Sequence, residues 1–159
     1  MNELPIYRII KKKWVENAFD GEGARRFGGR WNSKGQGCVY VASSESLALL
    51  ELLVHFHAKT VLSNYAVIKS YLDKEHVMTL GVLPENWRSE PAPPQTARVG
   101  DQWLASEQSL ALMVPSVIVL REFNYLLNPA HPAMQSIIDS AQTLNLSIDP
   151  RLVETKTSR

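Results

Sequence analysis

Cys38-Val-Tyr-Val-Ala-Ser-Ser-Glu-Ser-Leu-Ala-Leu-Leu-Glu-Leu-Leu-Val-His-Phe-His57 passes from a strand pattern to a helix pattern without a linker. Cys38 to Ala42 is a short β-prone run, and Ser43 or Ser44 can cap a following helix by accepting from its first unpaired N–H groups. Apolar residues then occupy nearly every side of a helix expected over Glu45 to His57, which places that helix inside the domain. Glu51 interrupts this surface on the face of Leu47, Ala48 and His55, so a carboxylate is carried into or beside the core. Burying it costs several kcal/mol unless it is paired or protonated.

Upstream, Leu4 to Ile10 reads as a first strand with Leu4, Ile6 and Arg8 on one side and Tyr7 and Ile9 on the other. Between them, Asn17 to Asn32 is a long glycine-rich loop ending in Gly28-Gly29-Arg30-Trp31-Asn32. Long loops in compact domains are more often functional than idle. Downstream, Asn64 to Leu72 alternates as a strand and Pro84 to Pro94 is a proline-rich surface loop. Ala97 to Ala111 reads as a mostly polar helix burying Trp103 and Leu104. Val114 to Leu120 reads as a buried strand broken by Pro115, and Asn124 to Pro132 as an irregular connector. Ala133 to Leu144 reads as a short helix and Leu144 to Ile148 as a last strand. Strands and helices interleave without a βαβ rhythm, which predicts an α+β fold, one domain over residues 1–159.

The chain has 159 residues, 17 Lys+Arg against 16 Asp+Glu and a net charge of +1, so no global field draws it to nucleic acid or an acidic membrane. The single cysteine, Cys38, has no disulfide partner and reads as a small buried hydrophobe in a reducing compartment. The amino-terminal stretch is not of secretory type. The apolar run Leu47 to Phe56 is too short for a bilayer, which takes about 20 residues. A cytoplasmic protein is the expectation.

Glu51 has two readings: a catalytic carboxylate, or a helix-edge residue that reaches solvent or pairs with His55 one turn on. Arg30 among glycines either grips an anion with its guanidinium fork or is a solvated turn residue. Arg25 and Arg26 carry the same ambiguity and read as solvated. Tyr40 is a ring that stacks on a planar ligand or a half-buried core aromatic. Ser116 is a phosphate-facing donor or a satisfied core hydroxyl, and no nucleophile elbow surrounds it. No metal site is expected, since His55 and His57 lie two apart on a helix and HExxH spacing is missing. Neither a Walker loop nor a GxGxxG fingerprint is present.

Taken in order, GGRWN around Arg30, Val39-Tyr40, the Glu51 helix, VPS ending at Ser116 and NYLLNPAHP over Asn124 to Pro132 resemble the RES-domain family, named for an arginine, a glutamate and a serine. The resemblance runs from Tyr7-Arg8 to Ile148-Asp-Pro-Arg-Leu152. It implies a fold like that of the diphtheria-toxin type of ADP-ribosyltransferase, with twisted mixed sheets and surrounding helices. It also implies a toxin of a type II toxin–antitoxin pair that cleaves the nicotinamide–ribose bond of NAD+, with water or inorganic phosphate as acceptor. By the same resemblance NAD+ is a substrate and no cofactor is needed.

Carried onto this chain, the resemblance implies Arg30, Glu51 and Ser116 as catalytic residues, with Tyr40, Arg8, Trp31, Asn32 and Asn124 contacting substrate. Glu51 would stabilise an oxocarbenium-like transition state, Arg30 with Arg8 would hold the pyrophosphate, and Ser116 would bond a phosphate or the acceptor. An Xre-type antitoxin would cover the cleft in a hetero-oligomeric complex and carry any DNA contact. Trp87, Trp103 and the loop from Pro84 to Pro94 are candidate surfaces for it. The alternatives are an ADP-ribosyltransferase acting on a protein or nucleic acid, and a non-catalytic binding module.

Overall fold

The computed structural model describes residues 2–55 and 61–153. Among these residues seven strands form one mixed sheet: β1 (Glu3–Lys11), β2 (Val39–Ala42), β3 (Tyr65–Asp73), β4 (Val77–Thr79), β5 (Ala111–Pro115), β6 (Phe123–Leu127) and β7 (Gln142–Asn145). Their spatial order is β4-β5-β6-β2-β1-β3-β7. Only β4 and β5 run parallel; the other neighbours are antiparallel. The α+β expectation holds.

The join between β1 and β2 matters most for the site. β1 pairs with β3 along its full length, from Glu3↔Asp73 to Lys11↔Tyr65. β2 pairs with β6 over all four of its residues. Between the two halves, however, β1 and β2 pair only at Tyr7↔Ala42. The sheet is split at its middle, and a cleft opens there.

Four α-helices are found among the described residues: α1 (Glu22–Phe27), α2 (Glu45–Leu53), α3 (Pro94–Ser106) and α4 (Met134–Ser140). Side chains alternate across the strands, so each face of the sheet has its own core. Ile6, Val39, Val41, Tyr125 and Leu127 pack with Met134 and Ile137 of α4. Trp31, Cys38, Leu112, Val114 and Leu126 pack with Trp103 and Leu104 of α3. Ala42 packs with Leu47 and Ala48 of α2. Ser70, buried on β3, donates to Ile137 O at 2.6 Å and ties α4 to the sheet.

Several boundaries differ from expectation. The Asn17 to Asn32 loop contains α1, a short helix whose arginines Arg25 and Arg26 pair with Glu22 in solvent. α2 ends at Leu53, and His57 lies outside the described residues. α2 is also not enclosed: Leu47 and Ala48 are buried while Leu50 and Val54 are exposed, because α2 rests with one face on β1 and β2. α3 begins at Pro94 and stops at Ser106, where Glu107 takes a left-handed φ of 54°.

The largest corrections fall on the second half of the sheet. The strand expected over Val114 to Leu120 ends at Pro115, and Ser116 opens a turn. The supposed connector from Asn124 holds β6, whose Tyr125, Leu126 and Leu127 are buried between β2 and β5. β4 was not anticipated. The last strand covers Gln142–Asn145, ahead of the expected stretch. No helix among the described residues is long and apolar enough to cross a membrane.

Candidate functional site

A cavity of about 610 Å³ opens at the split in the sheet, bordered by Arg8, Arg30, Trp31, Tyr40, Glu51 and Asn124. A second of about 210 Å³ shares Arg8, Tyr40, Glu51 and Asn124 with it. Arg8, Tyr40, Glu51 and Asn124 come from β1, β2, α2 and β6, so their grouping is not local in sequence.

Glu51 arrives on α2, whose start is set by Ser44: its Oγ accepts from Leu47 N at 3.0 Å. The carboxylate accepts from Asn124 Nδ2 at 2.8 Å and from Ser116 Oγ at 3.1 Å, both on Oε1. Glu51 turns toward the sheet and the cavity instead of pairing with His55.

Ser116 is fully buried, and its hydroxyl accepts from Ile118 N and Val119 N at 3.1 Å each while donating to Glu51. With both lone pairs and its proton in use, it has nothing left for a phosphate or an acceptor. Its place is behind Glu51.

Arg8 stands in the gap between β1 and β2. Nη1 donates to Tyr40 O at 3.0 Å, and Nε is sealed from solvent with no acceptor among the described residues. Burial lowers the Arg8 pKa, a shift opposed by the nearby Asp20 and Cys38. Guanidinium remains charged all the same, so the cleft holds a cation with unmet hydrogen-bonding capacity.

Arg30 is committed elsewhere. Its Nη1 donates to Trp87 O at 3.0 Å and Ser89 O at 2.7 Å, and its Nη2 pairs with the exposed Glu90. The guanidinium therefore fastens the proline-rich loop to the cavity wall. The turn that carries it is nailed to α3: Thr96 Oγ1 donates to Arg30 O at 2.6 Å, and Asp101 accepts from Ser33 N at 2.9 Å and Ser33 Oγ at 2.5 Å. A Cβ on Gly100 would lie 1.5 Å from Trp31 O, so only glycine lets α3 approach this closely. Sequence reasoning missed Thr96, Gly100 and Asp101; a glycine inside a helix was the one available signal.

Asn32 and Trp31 are also structural in their bonding. Asn32 is buried, donating from Nδ2 to Ala24 O at 2.8 Å and Gln36 O at 2.9 Å, and its Oδ1 accepts from Tyr40 Oη at 2.6 Å. Trp31 N donates to Tyr40 Oη at 3.1 Å, while its ring is buried against α3. Tyr40 therefore has its hydroxyl anchored in the glycine turn and its ring on the cavity wall. Burial pushes the Tyr40 hydroxyl well above the usual phenol range, so it stays neutral. Gly29 must be glycine here, because a Cβ would lie 2.6 Å from Tyr40 Oη.

Cys38 lines the same wall, and burial raises its thiol to about 12, which makes it unreactive. Among the described residues, no group of three or more His, Cys, Asp or Glu side chains is placed to hold a metal ion.

The model of the RES domain matches residues 5–149. A protein named Toxin Res from Yersinia enterocolitica is 44% identical over 151 residues, covering 94% of this chain and 99% of its own. One named Prs ADP-ribosylating toxin from a Sphingobium species is 39% identical over 138 residues, covering 84% and 85%. The fold is shared with a chain of the M. tuberculosis MbcT–MbcA toxin–antitoxin complex. That match has a TM-score of 0.71 and 19% identity, and covers 95% of this chain and 87% of that one.

Proposed function

Because the chain belongs to the RES-domain family, we propose that it is the toxin of a toxin–antitoxin pair and an enzyme that consumes NAD+. The observation that carries this reading is Glu51, a carboxylate held by two donors at the wall of a 610 Å³ cavity that also contains the underbonded cation Arg8. An anionic dinucleotide with a cationic leaving group suits such a pair.

In the proposed reaction the bond between ribose C1′ and the nicotinamide nitrogen breaks, and its electron pair neutralises the pyridinium ring. Positive charge grows at C1′, where the fixed Glu51 carboxylate stabilises it. The acceptor oxygen then bonds to C1′. Inorganic phosphate gives ADP-ribose phosphorylated at C1′; water gives ADP-ribose and releases a proton. Arg8 supplies the charge for the pyrophosphate, and the Tyr40 ring stacks on nicotinamide or ribose. Arg30 holds the Pro84 to Pro94 loop as a wall, and contributes to phosphate binding only where a phosphate displaces Glu90. The antitoxin, of Xre type, closes the cleft and mediates any DNA contact, and the pair acts in the cytoplasm. Residues 1–159 form one RES domain.

A second reading keeps the site and changes the acceptor to a protein side chain, and the ADP-ribosylating relative favours it. One experiment separates them. Partner-free protein is incubated with NAD+, with and without phosphate, and nicotinamide and the ribosyl product are followed by mass spectrometry. Glu51→Gln can keep its carbonyl oxygen toward Ser116 and Asn124, so its melting temperature should stay within about 2 °C while nicotinamide release falls at least about 100-fold. Folded protein that leaves NAD+ intact defeats the first reading, and nicotinamide release only with a protein acceptor selects the second.

A further inference from the structure

Asn124 uses half of its carboxamide. Nδ2 donates to Glu51 Oε1 at 2.8 Å, whereas Oδ1 is sealed from solvent without a donor among the described residues. The orientation is forced, since a carboxylate oxygen only accepts and the NH₂ must face it. An unpaired buried acceptor weakens a fold. β6 does not need the side chain either: its backbone is paired to β2 on one edge and β5 on the other. The side chain's hydrogen bonding is thus spent on Glu51.

Ser116 completes the geometry. Its oxygen is filled by Ile118 N and Val119 N, so its proton has one destination, Glu51 Oε1. Two donors therefore converge on one carboxylate oxygen. Oε2 accepts from no donor among the described residues.

We propose that Asn124 is a positioning residue that, with Ser116, clamps Oε1 of Glu51 and aims Oε2 at the ribose carbon. The inference rests on the NAD+-consuming reading and assigns Asn124 to Glu51 instead of to direct contact with substrate.

The test compares Asn124→Ala, Asn124→Leu and Asn124→Asp by thermal melting and steady-state nicotinamide release. Ala and Leu should stay folded, with Tm lowered by no more than a few degrees, while kcat of the folded protein falls about 10- to 100-fold. KM for NAD+ should stay within about threefold, because the lost interaction serves the transition state. Asn124→Asp, the same shape with an acceptor in place of the donor, should lose more kcat than Ala. In a Glu51→Gln background, Asn124→Ala should add little, since the two act as a unit.

Ser116→Ala supplies the contrast. It should lower Tm, because two backbone N–H groups lose their acceptor. A Leu variant with unchanged kcat overturns the proposal. So do Ala and Leu variants that melt several degrees lower and lose activity only in proportion to unfolding. If the unsubstituted protein is inert toward NAD+, the enzymatic reading fails instead. The melting arm, which needs no substrate, then decides separately whether Asn124 is kept for the fold.

Discussion

Tyr40→Phe isolates one hydroxyl at the meeting point of the glycine turn and the cleft. The substitution keeps the ring on the cavity wall but removes the donor to Asn32 Oδ1 at 2.6 Å and the acceptor of Trp31 N at 3.1 Å. Asn32 and Trp31 are 1% and 3% exposed, so water reaches neither group easily. Each buried group left unpaired costs about 1–3 kcal/mol. Asn32 keeps its Nδ2 bonds to Ala24 and Gln36, which limits how far the turn relaxes. A total of about 2–4 kcal/mol follows, which for a chain of this size lowers Tm by about 5–15 °C. Because the hydroxyl stays neutral, the deficit should be the same at pH 6 and pH 8. Calorimetric melting measures the loss, and nicotinamide release at low temperature, where the variant stays folded, measures chemistry. A Tm within about 2 °C of the unsubstituted protein would refute the scaffold role. A kcat loss beyond about 100-fold at unchanged Tm would place the hydroxyl in the reaction itself.

Other outcomes follow from the same geometry. Gly100→Ala puts a methyl 1.5 Å from the Trp31 carbonyl, so α3 must lift from the glycine turn; it should cost about 3 kcal/mol or more and show as a large Tm loss or insolubility. Arg8→Met removes the sealed Nε and the unmet charge together. It should weaken NAD+ binding about 10- to 100-fold with Tm unchanged or higher, read by calorimetric titration and melting. Cys38 has its thiol raised from 9.0 to about 12 in the folded state. The stability held by the protonated thiol is therefore fully present below pH 9 and lost as pH rises toward 12, with Tyr40 acting in the same direction. Folded protein at pH 8 should react with iodoacetamide far more slowly than denatured protein, and rapid labelling would contradict the burial.

The sequence by itself determined the α+β class and part of the local structure. β1, β2 and β3 and the Ser44-capped start of α2 were legible because strand alternation and helix capping are short-range patterns. Glu51 was conspicuous because a carboxylate on an apolar helix demands a partner. That partner was not legible. Asn124 sits on β6, and β6 reads as a connector because Asn124 and the following Asn128-Pro129 look like loop chemistry until β2 and β5 bury Tyr125, Leu126 and Leu127 on both sides.

Division of labour among the arginines was likewise invisible. Arg30, in the glycine turn, has the appearance of an anion site, yet α3 and the proline-rich loop engage its carbonyl and its guanidinium. Arg8, an ordinary strand residue in sequence, becomes the underbonded cation because β1 and β2 part after a single pair. Residue types, short-range pattern and the family resemblance thus name candidates. Which hydrogen bonds each has left to give depends on contacts between residues far apart in the chain, and only the tertiary structure decides them.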